Sequence, residues 1–324
     1  PSIKQEPFFI VKSNIIFKSN YINIKLLSIM NLNDIYTLEE RGIIYINGTD
    51  AKEFLQNIVT NDVEKITENS SIFSSLLTPQ GKYLFDFMIV KHKNGFFLDC
   101  QKSQLLDLFK KLNVYKLRSK VEFLDLSNEF VVAVLSRDKF LSLENTLDFE
   151  GHTIKFREDT LFLDPRNKRL GARLIINLEK LYLSIKKLNL KPNESGEYYK
   201  FSHQLGIPQI GCSKLQDKIF GIECNFDELN GIDFKKGCYV GQENTARIKL
   251  KNKLSKRLIA INIIKGNIKK DQDIFLTNEK FGKIIIDTEY PFGVFKINNK
   301  NFDFNKVYYT ETAEIKIVKP EWIN

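Results

Sequence analysis

The chain has 324 residues, 43 % hydrophobic and 27 % charged, which excludes a disordered or fibrous protein and allows one to three domains with a sizeable core. No apolar run reaches the roughly 18 residues that a membrane-spanning helix needs, so none is predicted. Lys and Arg total 49 against 40 Asp and Glu, and the net charge of +9 suits an anionic ligand or nucleic acid and equally suits plain solubility.

Residues 1–29 carry no Arg and no small-residue cleavage site, so neither a mitochondrial presequence nor a secretory signal is predicted. They are expected to be a non-native or disordered extension, with Met30 as the natural start and the segment dispensable for folding. Ile43–Ile46 reads as a strand. Asp50 is expected to cap a helix, with Glu53 as its capping-box partner and Ala51, Phe54, Leu55 and Ile58 on one apolar face. Ile72–Leu77, Tyr83–Val90 and Phe96–Cys100 read as strands, with turns at Gln80-Gly81 and Asn94-Gly95. A helix over Ser103–Leu112 and a strand over Val121–Leu124 follow.

The order then restarts. Phe130–Leu135 is a predicted strand and Asp138–Leu147 a helix. Ile154–Phe156, Leu161–Leu163 and Arg173–Ile176 are strands, and Leu178–Leu188 is a helix. This repetition suggests two ferredoxin-like α+β units around antiparallel sheets. Tyr198–Leu205 reads as a short helix ended by Gly206 and Pro208. Beyond Leu254 only strands are predicted, Leu258–Ile264, Ile274–Leu276, Gly282–Asp287, Phe292–Lys296 and Tyr308–Val318, which make a C-terminal β-barrel or sandwich. The domains expected are 30–254 and 255–324, after the extension 1–29.

Four cysteines occur, Cys100, Cys212, Cys224 and Cys238; none forms a CxxC pair and no His lies near one at ligand spacing, so no metal site is predicted. So few cysteines suit a reducing compartment, here the cytoplasm. His92, His152 and His203 form no constellation. The segment Lys236-Gly237-Cys238-Tyr239-Val240-Gly241-Gln242-Glu243 carries the most chemistry. Two glycines permit positive φ or close approach. A helix starting near Gln242, with Ala246 and Arg247, would place Cys238 just ahead of free N–H groups, and Lys235 and Lys236 would favour its thiolate. The alternative is a small buried hydrophobe beside a tight turn.

This segment resembles the signature of the YgfZ folate-binding family, within the superfamily of the glycine-cleavage T-protein. Phe54-Leu55-Gln56 with Thr60-Asn61-Asp62 is similar to that family, as is Thr78-Pro79-Gln80-Gly81-Lys82 followed by Leu84-Phe85-Asp86. So are Tyr115 to Val121, Asp164-Pro165-Arg166 with Leu170-Gly171, Gly206-Ile207-Pro208 and Glu223-Cys224-Asn225. The likeness runs from about residue 32 to 260. It implies a T-protein-like ring of three domains around a central folate channel. It also implies an accessory role in maturing iron–sulfur proteins, since the family's mitochondrial members assemble 4Fe–4S proteins.

On that likeness tetrahydrofolate is the expected cofactor, Cys238 the reactive group, and Glu223, Lys236, Gly237, Tyr239, Gly241, Gln242, Glu243, Arg118 and Arg247 the expected binding residues. Glu223, Gln242 and Glu243 would meet the donors of the pterin, though Glu223 also reads as a solvated loop carboxylate. Arg118 with Lys120 would meet the folate tail. The basic run Arg247, Lys249, Lys251, Lys253, Lys256, Arg257 reads either as an anion site or as a solvated connector. Where the T-protein carries two adjacent aspartates this chain has Phe85-Asp86, so aminomethyl transfer is not expected. Asp86, alternating with apolar neighbours, is expected on the solvent side of its strand. A folate-dependent aminomethyltransferase or demethylase is the competing reading. The expected partners are a reduced folate and iron–sulfur assembly or client proteins, with no membrane and no nucleic acid, since no RNA-binding signature accompanies the charge.

Overall fold

The computed structural model describes residues 30–323, and the extension expected over 1–29 lies outside the described residues. In chain order the elements are β1 (Asp34–Thr37), β2 (Arg41–Asn47), α1 (Ala51–Ile58), β3 (Ile72–Leu77), β4 (Tyr83–His92), β5 (Gly95–Gln101), α2 (Leu105–Lys116) and β6 (Glu122–Asp125). Then come β7 (Phe130–Leu135), α3 (Arg137–Leu141), β8 (Thr153–Phe156), β9 (Asp159–Leu163), β10 (Ala172–Asn177), α4 (Leu178–Lys187), β11 (Lys191–Asn193) and α5 (Ser195–Gln204). After a long irregular segment follow α6 (Gln242–Leu250) and β12 (Lys256–Gly266), β13 (Asp273–Leu276), β14 (Glu279–Ile286), β15 (Phe292–Lys296), β16 (Val307–Tyr309) and β17 (Ala313–Ile317).

The repeat expected from the element order is present in the topology. The first sheet runs β3-β4-β5-β2-β6 and the second β8-β9-β10-β7-β1-β11. Each unit reads strand, helix, three strands, helix, strand, and its strands take the same spatial order. The second differs by one inserted strand. β1, which precedes the first unit in the chain, sits between β7 and β11, antiparallel to one and parallel to the other. The short β1 and β11 have no periodicity that would have announced them.

Asp50 precedes α1 as expected but does not cap it with its side chain; the carboxylate accepts instead from Lys120 N at 2.7 Å and ties α1 to the end of α2. The helix expected over Asp138–Leu147 stops at Leu141, and Asn145 has a left-handed φ of 61° that no helix accommodates. The strand expected over Tyr308–Val318 divides into the hairpin β16–β17.

β12 to β17 close into a barrel. β12 pairs with β15 along its first half and with β17 along its second, so one long strand serves two edges. Ile259, Ile261, Phe281, Ile284, Phe295 and Tyr308 fill the barrel. From the outer side, Leu258, Ala260, Ile286 and Phe292 join a larger core with Tyr83, Met88, Phe97, Val132, Val134 and Ile175 from the two sheets.

Charge runs through the seam between the sheets. Asp99 on β5 accepts from Arg41 Nε at 2.5 Å and from Arg173 Nη1 of β10 at 2.7 Å. Asp164 accepts from Arg173 Nε at 2.9 Å and Arg166 Nη2 at 2.8 Å. Arg173 Nη2 also donates to Gln209 Oε1 at 3.1 Å. Asp99, Asp164 and Arg173 are fully buried. Burial alone would raise the Asp164 pKa, but Arg166 and Arg173 hold it well below the usual carboxylate range.

Candidate functional site

The loop Lys236–Gly241 is pinned at both ends. Lys236, 8 % exposed, runs inward and donates from Nζ to Gln56 O at 2.7 Å, Val59 O at 2.7 Å and Asn61 O at 2.9 Å. Carbonyls at and beyond a helix C-terminus lack intrahelical donors, so the ammonium caps the end of α1. Burial lowers the Lys236 pKa to about 8, with Asp62 and Asp233 acting against it. The ring of buried Tyr239 lies 5.2 Å from Nζ.

Gly241 closes the loop with φ +85°, and a Cβ there would stand 2.5 Å from Thr78 O. It packs on the turn Thr78–Gly81, where Gly81 also has φ +85°. Asn244 Nδ2 donates to Gln80 O at 2.8 Å, and Thr245 Oγ1 to Gly241 O at 3.0 Å. Two segments distant in sequence, the β3–β4 turn and the start of α6, thus fit together only because both are glycine at the contact. Gly237 differs. Its φ is not left-handed and a Cβ there would meet nothing within 4 Å, so no steric demand accounts for it.

Cys238 is exposed, whereas Cys100, Cys212 and Cys224 are buried. Burial pushes the Cys100 thiol up to about 12 and those of Cys212 and Cys224 well above the ordinary value. Cys238 lies ahead of the N-cap Gly241 rather than on it, and among the described residues no hydrogen bond reaches its Sγ. Of the two lysines expected to favour its thiolate, Lys236 directs its charge to backbone carbonyls instead.

The remaining candidates are scattered. Gln242 and Glu243 do open α6. Gln242 Nε2 bonds Gly237 O at 3.4 Å, and exposed Glu243 faces outward. Arg247 donates to Asn244 Oδ1 at 2.6 Å on the same helix. Glu223 sits in a single 3-10 turn, Gly221–Cys224, and accepts from Phe220 N at 3.0 Å; burial raises its pKa, with the Phe220 N–H and Lys256 opposing. Arg118 is exposed beyond α2, in a surface depression with Asp50, Glu53 and Asn57, and not at the cysteine loop. The basic run is no single site. Arg257 bonds Asn225 at 2.8 Å and Glu228 at 2.5 Å, Lys249 pairs with Asp227, and Lys251, Lys253 and Lys256 are exposed.

Asp86 corrects the expectation of a solvent-side carboxylate. It is 7 % exposed, faces the seam, and accepts from Tyr83 OH at 2.5 Å. Phe85 and Phe87 pack on the other face with α1 and α2, so β4 is buried on both sides. Beside Asp86, with Arg166, Cys212, Cys224 and Phe226, lies a cavity of about 10 Å³. That volume takes about one water molecule. That cavity takes no pterin, and neither Glu223 nor the cysteine loop lines it. Among the described residues no group of three His, Cys, Asp or Glu side chains could hold a metal ion, and no helix is long and apolar enough to cross a membrane.

Sequence reading gave no role to the seam charges, although its signal was present: Asp99 and Arg173 interrupt otherwise apolar strands.

No protein-family model matches the chain. It is 30 % identical over 256 residues to "tRNA-modifying protein YgfZ" of Buchnera aphidicola subsp. Schizaphis graminum, covering 76 % of each chain. It is 29 % identical over 253 residues to "Iron-sulfur cluster assembly factor IBA57 homolog, mitochondrial" of Dictyostelium discoideum, covering 69 % of this chain and 61 % of that one. The chain therefore spans less than two thirds of that relative's length. Among solved structures it is similar to the glycine cleavage system aminomethyltransferase T from Bartonella henselae, with a TM-score of 0.70, 12 % identity, and coverage of 90 % of this chain and 86 % of that one. At that identity the likeness establishes a shared T-protein fold.

Proposed function

The chain belongs to the YgfZ family, and from that premise we propose that it is an accessory factor in the maturation of iron–sulfur proteins, working through Cys238. The observation that carries this reading is the contrast among the cysteines. Three are buried, and the fourth stands bare on a loop fixed by Lys236 and Gly241. Such a loop offers one thiol to a partner in a defined position. A 4Fe–4S cluster normally takes four thiolates, so Cys238 supplies one ligand or one sulfur-carrying thiol, and an assembly or client protein supplies the rest. The relatives named for iron–sulfur cluster assembly favour this over turnover chemistry. The setting proposed is the reducing cytoplasm.

Tetrahydrofolate is the ligand proposed alongside it, on the chain's likeness to YgfZ. A calorimetric titration measures the point directly. Saturable binding supports the folate part of the proposal, and absence of heat overturns that part alone. The function itself is tested by complementing a strain deficient in 4Fe–4S enzyme activity. Cys238→Ser is expected to fold as the parent and fail to complement, and full complementation overturns the proposal.

A further inference from the structure

On the side where the second unit, α5 and the barrel meet lies a cavity of about 290 Å³, far larger than the one in the seam. Leu205, Val318 and Trp322 form its apolar wall. Trp322 is fixed in that wall, since its Nε1 donates to Leu205 O at 2.8 Å. The segment carrying it lies against Gly206, whose φ is +74° and whose Cβ would fall 2.5 Å from Pro320 Cγ. Only glycine seats the C-terminal segment this closely, so the wall is preformed rather than folded around a ligand.

The rim is cationic. Arg169, Lys200 and Lys319 line it, and Glu321 is the one carboxylate among the lining residues. Glu321 is engaged by Arg169. Lys200 and Lys319 are exposed and enter no ion pair among the described residues. The amides of Asn167 and Asn262 add hydrogen-bonding capacity. An apolar wall under ammonium groups that carry no ion pair, Lys319 lying only over the Phe304 ring at 5.8 Å, recognises two things at once, a flat or greasy body and an anionic head.

We propose that this cavity binds a small anion with an aromatic or other apolar body and a carboxylate or phosphate head. The site is separate from the Cys238 loop and independent of the role proposed for it.

The chain's single tryptophan is Trp322, so intrinsic tryptophan emission reports on this cavity alone. The probes are phenyl phosphate and 3-phenylpropanoate, with neutral 3-phenylpropan-1-ol as control. At least one anion is expected to change the emission saturably, and the alcohol to bind about tenfold or more weakly. The ratio between the two anions tells phosphate from carboxylate recognition. The double variant Lys200→Ala, Lys319→Ala is expected to keep the parent circular dichroism, since both side chains are exposed, and to lose about tenfold or more in anion affinity. Three results each overturn the proposal: no saturable change with either anion at millimolar concentration, equal binding of the alcohol, or undiminished affinity in the double variant.

Discussion

The seam between the two sheets and the cysteine loop solve opposite problems with similar means. In the seam Arg173 bridges Asp99 and Asp164, one from each unit, and all three are sealed from water. In the loop a single buried ammonium grips three carbonyls so that a neighbouring side chain can stay outside. Buried charge serves in the first case to lock two bodies together, and in the second to immobilise the base of an exposed atom. The comparison teaches that Cys238 is presented by parts of the loop that never touch it.

The comparison can be broken most forcefully in the seam. Arg173→Met removes the cation shared by two buried carboxylates, leaving Asp99 to Arg41 and Asp164 to Arg166, and is expected to cost about 3–5 kcal/mol, read as a lowered urea midpoint. Next comes Gly241→Ala, which meets a left-handed φ and Thr78 O together. The strain is worth about 1–3 kcal/mol, and faster exchange of amides in the turn Thr78–Gly81 would show that the loop has lost its seat. Lys236→Met leaves the carbonyls of Gln56, Val59 and Asn61 without their donor. About 1–3 kcal/mol is expected, with the loss of protection concentrated at the end of α1; a uniform loss across the fold would refute the capping role.

Smaller effects sharpen the contrast. Gly237→Ala and Cys238→Ser should each stay within about 0.5 kcal/mol of the parent, because one faces open space and the other is exposed. Iodoacetamide at neutral pH, followed by mass spectrometry, should label Cys238 well before Cys100, Cys212 or Cys224. Comparable labelling of any buried cysteine in the folded protein would mean that the core opens more readily than its packing implies.

Much of this was legible beforehand, and the failures have physical causes. β3 falls where its apolar run and flanking turns place it, because local signals suffice for a hairpin strand. The restart of the element order at Phe130 anticipated the second unit. Asp86 was misplaced because alternation normally means one wet face, and β4 has none. Gly237 and Gly241 look alike in the sequence, yet only Gly241 answers to a steric demand, which the distant Thr78 sets. Lys236 read as a charge beside a thiol; its inward course depends on α1, far away in the chain. Tertiary proximity of that kind leaves no mark on local pattern.

The strand β1 has a consequence for how the molecule comes into being. It is made before every other described element but belongs to the second sheet, where Ile35 meets Leu135 about a hundred residues later. Its other edge waits longer still, for Lys191. At a synthesis rate of about 5–20 residues per second, the nascent strand spends seconds with both edges unpaired while the first unit assembles around it. The two halves are therefore stitched rather than stacked. Cutting the gene between them would leave one half with a surplus strand and the other with a gap, so the internal repeat cannot be divided into two self-sufficient proteins.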